Sequence, residues 1–132
     1  MSAHVTTHRL RFNDTDRLGH VNNAVFAVML EQGRSELATL ADLPVGGDAQ
    51  VLVIVRLELD FVAEMTWPGD VRIETEVAEM GGRSIKLRQR LLQGDAVTAR
   101  AMTVLVVLDR ATGRAAPLTD VWRESLGRWA TS

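Results

Sequence analysis

Between Asn22 and Leu43 the chain carries a long stretch whose apolar residues recur at helical spacing. Phe26, Met29, Leu30, Gly33, Leu37, Leu40 and Ala41 fall on one stripe. Asn22 or Asn23 is placed to cap its start, because an asparagine side-chain oxygen accepts from an unpaired helix N–H. Pro44 and Gly46-Gly47 end it. At about 1.5 Å per residue this helix is roughly 30 Å long, enough to cross a whole small domain. No other segment of the sequence can match it, so whatever the remaining residues build has to be built around it.

Beyond Gly47 the sequence alternates with period two. Val55, Leu57, Leu59 and Phe61 oppose Arg56, Glu58 and Asp60, and Val71, Ile73, Thr75 and Val77 oppose Arg72, Glu74 and Glu76. Ile85, Leu87 and Leu91 oppose Lys86, Arg88 and Arg90, and a further strand from Val97 becomes apolar on both faces through Val107. Pro68-Gly69-Asp70, Gly81-Gly82 and Gln93-Gly94-Asp95 supply turns, so the connections are short and antiparallel pairing is expected. A shorter, imperfect strand is expected over His4 to Phe12 on Val5, Thr7, Leu10 and Phe12. A second weak helix is expected near the end, capped by Thr119 or Asp120, with Trp122, Leu126 and Trp129 on one face. A sheet with one apolar face must bury it, and the long helix is the only sufficient partner. The pattern reads as α+β, one domain over residues 1–132: a curved antiparallel sheet wrapped around one central helix, the hotdog architecture. Gly33 in mid-helix costs about 1 kcal/mol of propensity relative to alanine, which close approach of helix to sheet would offset.

The 132 residues are 46% hydrophobic, so a packed core is available without staples. A net charge of -2 gives no basic footprint for nucleic acid. No apolar run approaches the roughly 20 residues that span a bilayer, and the first twelve residues do not read as a secretion signal. Zero cysteines exclude disulfides, thiolate zinc sites and a cysteine nucleophile. A cytoplasmic protein with no membrane partner is the expectation.

Common catalytic signatures are missing: the sequence holds no G-x-S-x-G, phosphate loop, G-x-G-x-x-G or H-E-x-x-H. His4 and His8 would lie about 13 Å apart at strand rise, too far to share a metal, and are expected as exposed strand residues. One segment is dense in polar groups and leads into the long helix: Asp14, Asp16, His20, Asn22 and Asn23. Unpaired N–H groups and the positive end of a helix can bind a developing oxyanion, and a carboxylate beside them can attack a carbonyl or activate water. Read from chemistry alone, the same residues also fit a plain polar loop with an Asx turn and an N-cap.

The stretch Asp14-Thr15-Asp16-Arg17-Leu18-Gly19-His20-Val21-Asn22-Asn23, followed by Phe26 and Glu31-x-x-Arg34, resembles the signature of the 4-hydroxybenzoyl-CoA thioesterase family. It is most similar to the acyl-CoA thioesterase branch carrying D-x-D-x-x-G-H-V-N-N-x-x-Y/F; plant acyl carrier protein thioesterases carry a similar H-V-N-N. Gly82-Arg83-Ser84 and Asp109-x-x-Thr112-Gly113-Arg114 with Pro117-Leu118 extend the resemblance along the chain. It implies that Asp16 is the catalytic carboxylate, as nucleophile or as general base. It implies an oxyanion hole of backbone N–H groups at Asn22, Asn23 and Ala24, and a pocket lined by His20 and Asn23, with no metal and no cofactor. Asn22 can equally be only a cap, and Asp14 reads as structural. Glu31 and Arg34 are spaced to pair on one helix face, an ion pair at a subunit contact being the plainer role. Phe26 stands where many members have tyrosine.

The implied substrate is acyl-CoA or an acyl carrier protein thioester. Arg83, Lys86, Arg88 and Arg90 form a basic stripe; the resemblance makes Arg83 and Ser84 candidates for the nucleotide phosphates, against a solvated strand face. Two other readings stand beside hydrolysis: a hydratase or dehydratase of the same fold, and a non-catalytic acyl-CoA binding module. One helix cannot cover the outer face and both edges of such a sheet, so a homodimer or homotetramer is expected.

Overall fold

The long helix, α1, spans Asn23–Leu40 in a computed structural model that describes residues 3–131. Asn22 is its N-cap, accepting from the Ala24 N–H at 2.9 Å. It stops three residues short of Leu43. Asp42 takes a left-handed φ of 60°, and the Leu43 and Asp42 amides turn back to the Ala38 and Thr39 carbonyls at 3.0 and 3.1 Å. This Schellman reversal folds Leu43 onto Ala38, both buried. Phe26, Met29, Leu30, Gly33 and Leu37 face the sheet as the spacing predicts, joined by Ala38, whereas Leu40 is exposed.

The strands are β1 His4–Arg9, β2 Gln50–Phe61, β3 Asp70–Met80, β4 Ser84–Gln93, β5 Ala96–Asp109 and the two-residue β6 Arg114–Ala115. A short helix, α2, covers Asp120–Leu126 with Thr119 as its cap. One antiparallel sheet has the order β1-β3-β4-β5-β2, with β6 beside β5. With α1 laid across one face, this is the hotdog architecture. The short turn at Pro68-Gly69-Asp70 does not make β2 and β3 a hairpin. β5, apolar on both faces, takes an interior place and leaves β2 outside it, so residues 62–69 cross from one side of the sheet to the other. The Thr98 carbonyl holds the Val62 and Ala63 amides at 2.9 and 3.1 Å, and the Met65 carbonyl accepts from Val21 at 2.8 Å.

Strand β1 has the opposite phase to the expected one. Val5 and Thr7 point outward, while His4, Thr6 and His8 turn toward the interior and Leu10 is buried. The histidines are therefore not exposed strand residues. His4 meets the Trp129 ring edge-on at 6.3 Å, and His8 lies against Asp14 at 3.1 Å. Polar side chains with partners inside outweigh the weak apolar alternation of a short edge strand.

The seat of α1 on the sheet is at Gly33. A Cβ there would lie 2.7 Å from both Ile73 Cγ2 and Thr75 Oγ1, and 3.0 Å from Gln89 Nε2. Beneath it the buried Gln89 amide donates to the Leu30 carbonyl at 2.9 Å and to Thr75 Oγ1 at 3.0 Å. One apolar cluster (Phe26, Met29, Leu30 on Val71, Ile73, Leu91) lies toward the helix N-terminus. A second (Leu37, Ala38, Leu43 on Val77, Ile85, Leu105, with Leu126 and Trp129) lies toward its C-terminus. Gly33→Ala should lower stability by about 1–3 kcal/mol, the cost of overpacking against a strand that cannot withdraw. Urea unfolding checks it: an unchanged midpoint would mean that the helix rides higher on the sheet than the contacts indicate.

Candidate active site

The loop between β1 and α1 is fixed before it reaches any chemistry. Asp14 is buried, and its Oδ2 accepts the Arg11 amide at 2.8 Å and faces His8 Nε2 at 3.1 Å. Its carbonyl takes the Asn22 N–H at 2.9 Å, which ties the loop to the helix cap. From this anchor the chain turns tightly over residues 16–20, with Gly19 at φ 83°. The Asp16 amide donates to the His20 carbonyl at 2.8 Å. Asp16 Oδ1 in turn accepts the Leu18 amide at 2.8 Å and the His20 amide at 3.3 Å. Its other carboxylate oxygen has no protein partner among the described residues, and the side chain is exposed.

The helix N-terminus beside it offers one free donor rather than three. The Asn22 N–H is used by Asp14, and the Ala24 N–H by the Asn22 side chain. The Val25 N–H goes to the Asn22 carbonyl at 2.9 Å. Asn23 N–H keeps no hydrogen-bond partner among the described residues, so of the three expected donors only this one is open to an oxyanion. Asn22 is a cap.

Asp16, His20, Asn23 and Phe26 line one open depression of about 340 Å³. Phe26 is buried at its floor, edge-on to Phe61 with ring centroids 5.2 Å apart. Phe61 and Glu64 also line it, and neither was expected there from the sequence. Both come from the end of β2 and the crossing segment, roughly 45 residues beyond Asp16. No local spacing links them to the motif; only the crossing of residues 62–69 would have done so. Glu64 Oε2 lies 3.0 Å from His20 Nε2.

Arg83 and Ser84 are not brought here. Their hairpin sits with the second apolar cluster, Leu118 donating to the Gly82 carbonyl at 2.9 Å, about a helix length from Asp16. Arg83 donates to the Ala115 carbonyl at 2.9 Å, while Lys86, Arg88 and Arg90 are paired with Glu79, Glu76 and Glu74. The basic stripe is thus largely an ion-paired outer face. Glu31 and Arg34 form no ion pair within 4.0 Å among the described residues. Arg34 instead reaches Gln89 Oε1 at 3.3 Å, and burial pulls its guanidinium below the ordinary arginine value against the opposing charge of Glu31. Among the described residues no three His, Asp or Glu side chains cluster as a metal site. No helix among them is long and apolar enough to cross a membrane.

The sequence matches the thioesterase-like superfamily over residues 10–126. The chain belongs to this superfamily. It is similar to a predicted thioesterase from Bacillus stearothermophilus, at 30% identity and TM-score 0.90 over 99% of this chain and 98% of that one. It is similar also to a Thermus thermophilus thioesterase complexed with coenzyme A and Zn, at 29% identity and TM-score 0.82 over 92% and 95% of the two chains. A 1,4-dihydroxy-2-naphthoyl-CoA thioesterase from Synechocystis shares the fold, at 18% identity and TM-score 0.84 over 95% and 96%. Thioester hydrolysis is the chemistry of the group.

Asp14 separates structure from chemistry within the motif. Burial raises its pKa, but the Arg11 amide, His8 and the Arg11 charge outweigh that and hold the carboxyl below its ordinary value. A carboxyl depressed in the folded state stabilises fully above its unfolded value, about 4, and loses that contribution as pH falls through the folded value. Asp14→Asn should therefore cost about 1–3 kcal/mol at pH 7, as an interrupted buried hydrogen-bond set does, and flatten the acid limb below about pH 4. Urea midpoints between pH 7 and 2.5 test this; parallel curves for the two proteins would refute it.

Proposed function

We propose that the protein is an acyl-CoA thioesterase of the D-x-D-x-x-G-H-V-N-N branch, with Asp16 as its catalytic carboxylate. One observation carries the reading: an exposed carboxylate with a free oxygen and the open Asn23 N–H share one depression at the start of an 18-residue helix. The N–H and the positive helix end stabilise the oxyanion that forms as the thioester carbonyl is attacked. Asp16 either attacks the carbonyl itself or takes a proton from the attacking water. The C–S bond then breaks and coenzyme A leaves as the thiol, its proton coming from the reacting water. In the nucleophilic route the acyl group first rests on Asp16 as a mixed anhydride, which that water cleaves to release the acid and restore the carboxylate. His20 and the Asn23 side chain line the pocket around the reacting group, and Phe26 bounds the acyl end. An acyl carrier protein thioester meets the same chemistry.

Asp16→Asn preserves shape and removes both nucleophile and base. It should lower kcat by at least about a hundredfold, the low end for general-base catalysis, with acyl-CoA still bound. Asp14→Asn, assayed well below its melting temperature, should keep most of the activity. Near wild-type hydrolysis by Asp16→Asn would remove the assignment. Single turnover in 18O-labelled water tests the nucleophilic role, because label in the Asp16 carboxylate requires a mixed anhydride cleaved by water at the Asp16 carbonyl, a species general-base catalysis never forms.

The reading includes a homodimer or homotetramer. Among the described residues β2 presents an unpaired 12-residue outer edge on which Ile54, Val55, Leu57 and Phe61 are exposed, with exposed Val62 just beyond it, the kind of edge that invites pairing. Two β2 edges joined antiparallel reverse direction. The partner's far end, with its Arg83–Ser84 hairpin, would then lie on the side of this protomer's Asp16, where nucleotide phosphates would need it. Light scattering at micromolar concentration should give at least twice the 14.5 kDa chain mass; a monomeric mass would count against the shared site.

A further inference from the structure

We infer that Glu64 is a positioning residue that acts through His20, fixing which ring nitrogen of that histidine carries the proton; the inference rests on the hydrolytic reading of the Asp16 depression. Glu64 Oε2 lies 3.0 Å from His20 Nε2, and both side chains line the depression that holds Asp16. An ionised carboxylate can only accept, so its charge beside Nε2 favours the neutral tautomer that carries the proton there. Nδ1 is thereby left as the acceptor, the arrangement in which an imidazole can take or hold a proton of a water or hydroxyl beside it.

The two backbones are set for this contact. His20 forms an isolated antiparallel bridge with Thr66, two residues beyond Glu64, and its neighbour Val21 donates to the Met65 carbonyl at 2.8 Å. On the other side the His20 amide is held by Asp16 Oδ1 at 3.3 Å. His20 is therefore held by two carboxylates, Asp16 at its backbone amide and Glu64 at its ring. The side chain of Glu64 is 72% exposed and that of His20 36%. A pair this open adds little to folding. Removing it should leave the fold intact and change the chemistry alone.

Glu64→Ala should lower kcat for acyl-CoA about tenfold with KM within twofold and the melting temperature unchanged. Glu64→Gln, whose amide oxygen still accepts from Nε2, should recover most of the loss. In a His20→Ala background Glu64→Ala should cost nothing further. Full kcat in Glu64→Ala, or a loss that adds in full to that of His20→Ala, would overturn the inference. Nitrogen-15 spectra of the His20 ring at pH 8.5, where imidazole in water is neutral, give a readout independent of turnover. They should show the Nε2–H tautomer in the wild type and a mixture in Glu64→Ala, and identical spectra would also overturn it. If the wild type hydrolysed no thioester, the proposed function would fail and the catalytic use of the pair with it, while the spectra would still decide whether Glu64 sets the tautomer.

Discussion

Where α1 meets β3 there is no room for a methyl group at Gly33, and this contact governs the rest of the molecule. The helix is pressed at its middle onto Ile73, Thr75 and Gln89 and tied there by the Gln89 amide on the Leu30 carbonyl. Its two halves then bury separate clusters, and its N-terminus has one position relative to the end of the sheet. The Asn22 cap, the Asp14 anchor and the loop between them are all referred to that position. A helix riding a few ångströms higher would leave Asn23 N–H and the crossing segment out of reach of one another.

Motif residues in this chain divide by what their hydrogen-bonding capacity is spent on. Asp14 has used its carboxylate on Arg11 and His8, and it is buried. The Asn22 amide is spent on the Asp14 carbonyl and the Ala24 amide on the cap side chain. Asp16 and Asn23, beside them in sequence, each keep something unspent. A free acceptor and a free donor on a common depression suit the proposed acyl chemistry, and Asp14 and Asn22 serve to hold the loop that carries them.

Much of the architecture was legible because burial imposes periodicity. The helical stripe from Phe26 to Leu37, the alternation in β3 and β4 and the apolar strand β5 each carry many residues obeying one period. Signals resting on few residues misled. β1 is short, and its two histidines find partners inside, so the apolar alternation of Val5 and Thr7 named the wrong face. The C-terminus of α1 turned on Asp42, a residue that tolerates left-handed backbone less readily than glycine does. In the site, Asp16, His20 and Asn23 lie within one local motif. Phe61 and Glu64 arrive through sheet order, and order is set by competition among strands for interior places, which no single segment records.

The passage of residues 62–69 across the end of the sheet also has a temporal meaning. Hairpins such as β4–β5 close over a few residues and can form early, whereas the depression needs the 16–23 turn and a segment over forty residues later to meet at the helix N-terminus. Contacts of long sequence separation carry the larger loop-closure cost and tend to be made late. A growing or refolding chain would thus acquire most of its secondary structure while His20 and Glu64 are still apart. The site is complete only when both sides of the sheet are in place, so its chemistry reports on the finished topology rather than on any one element.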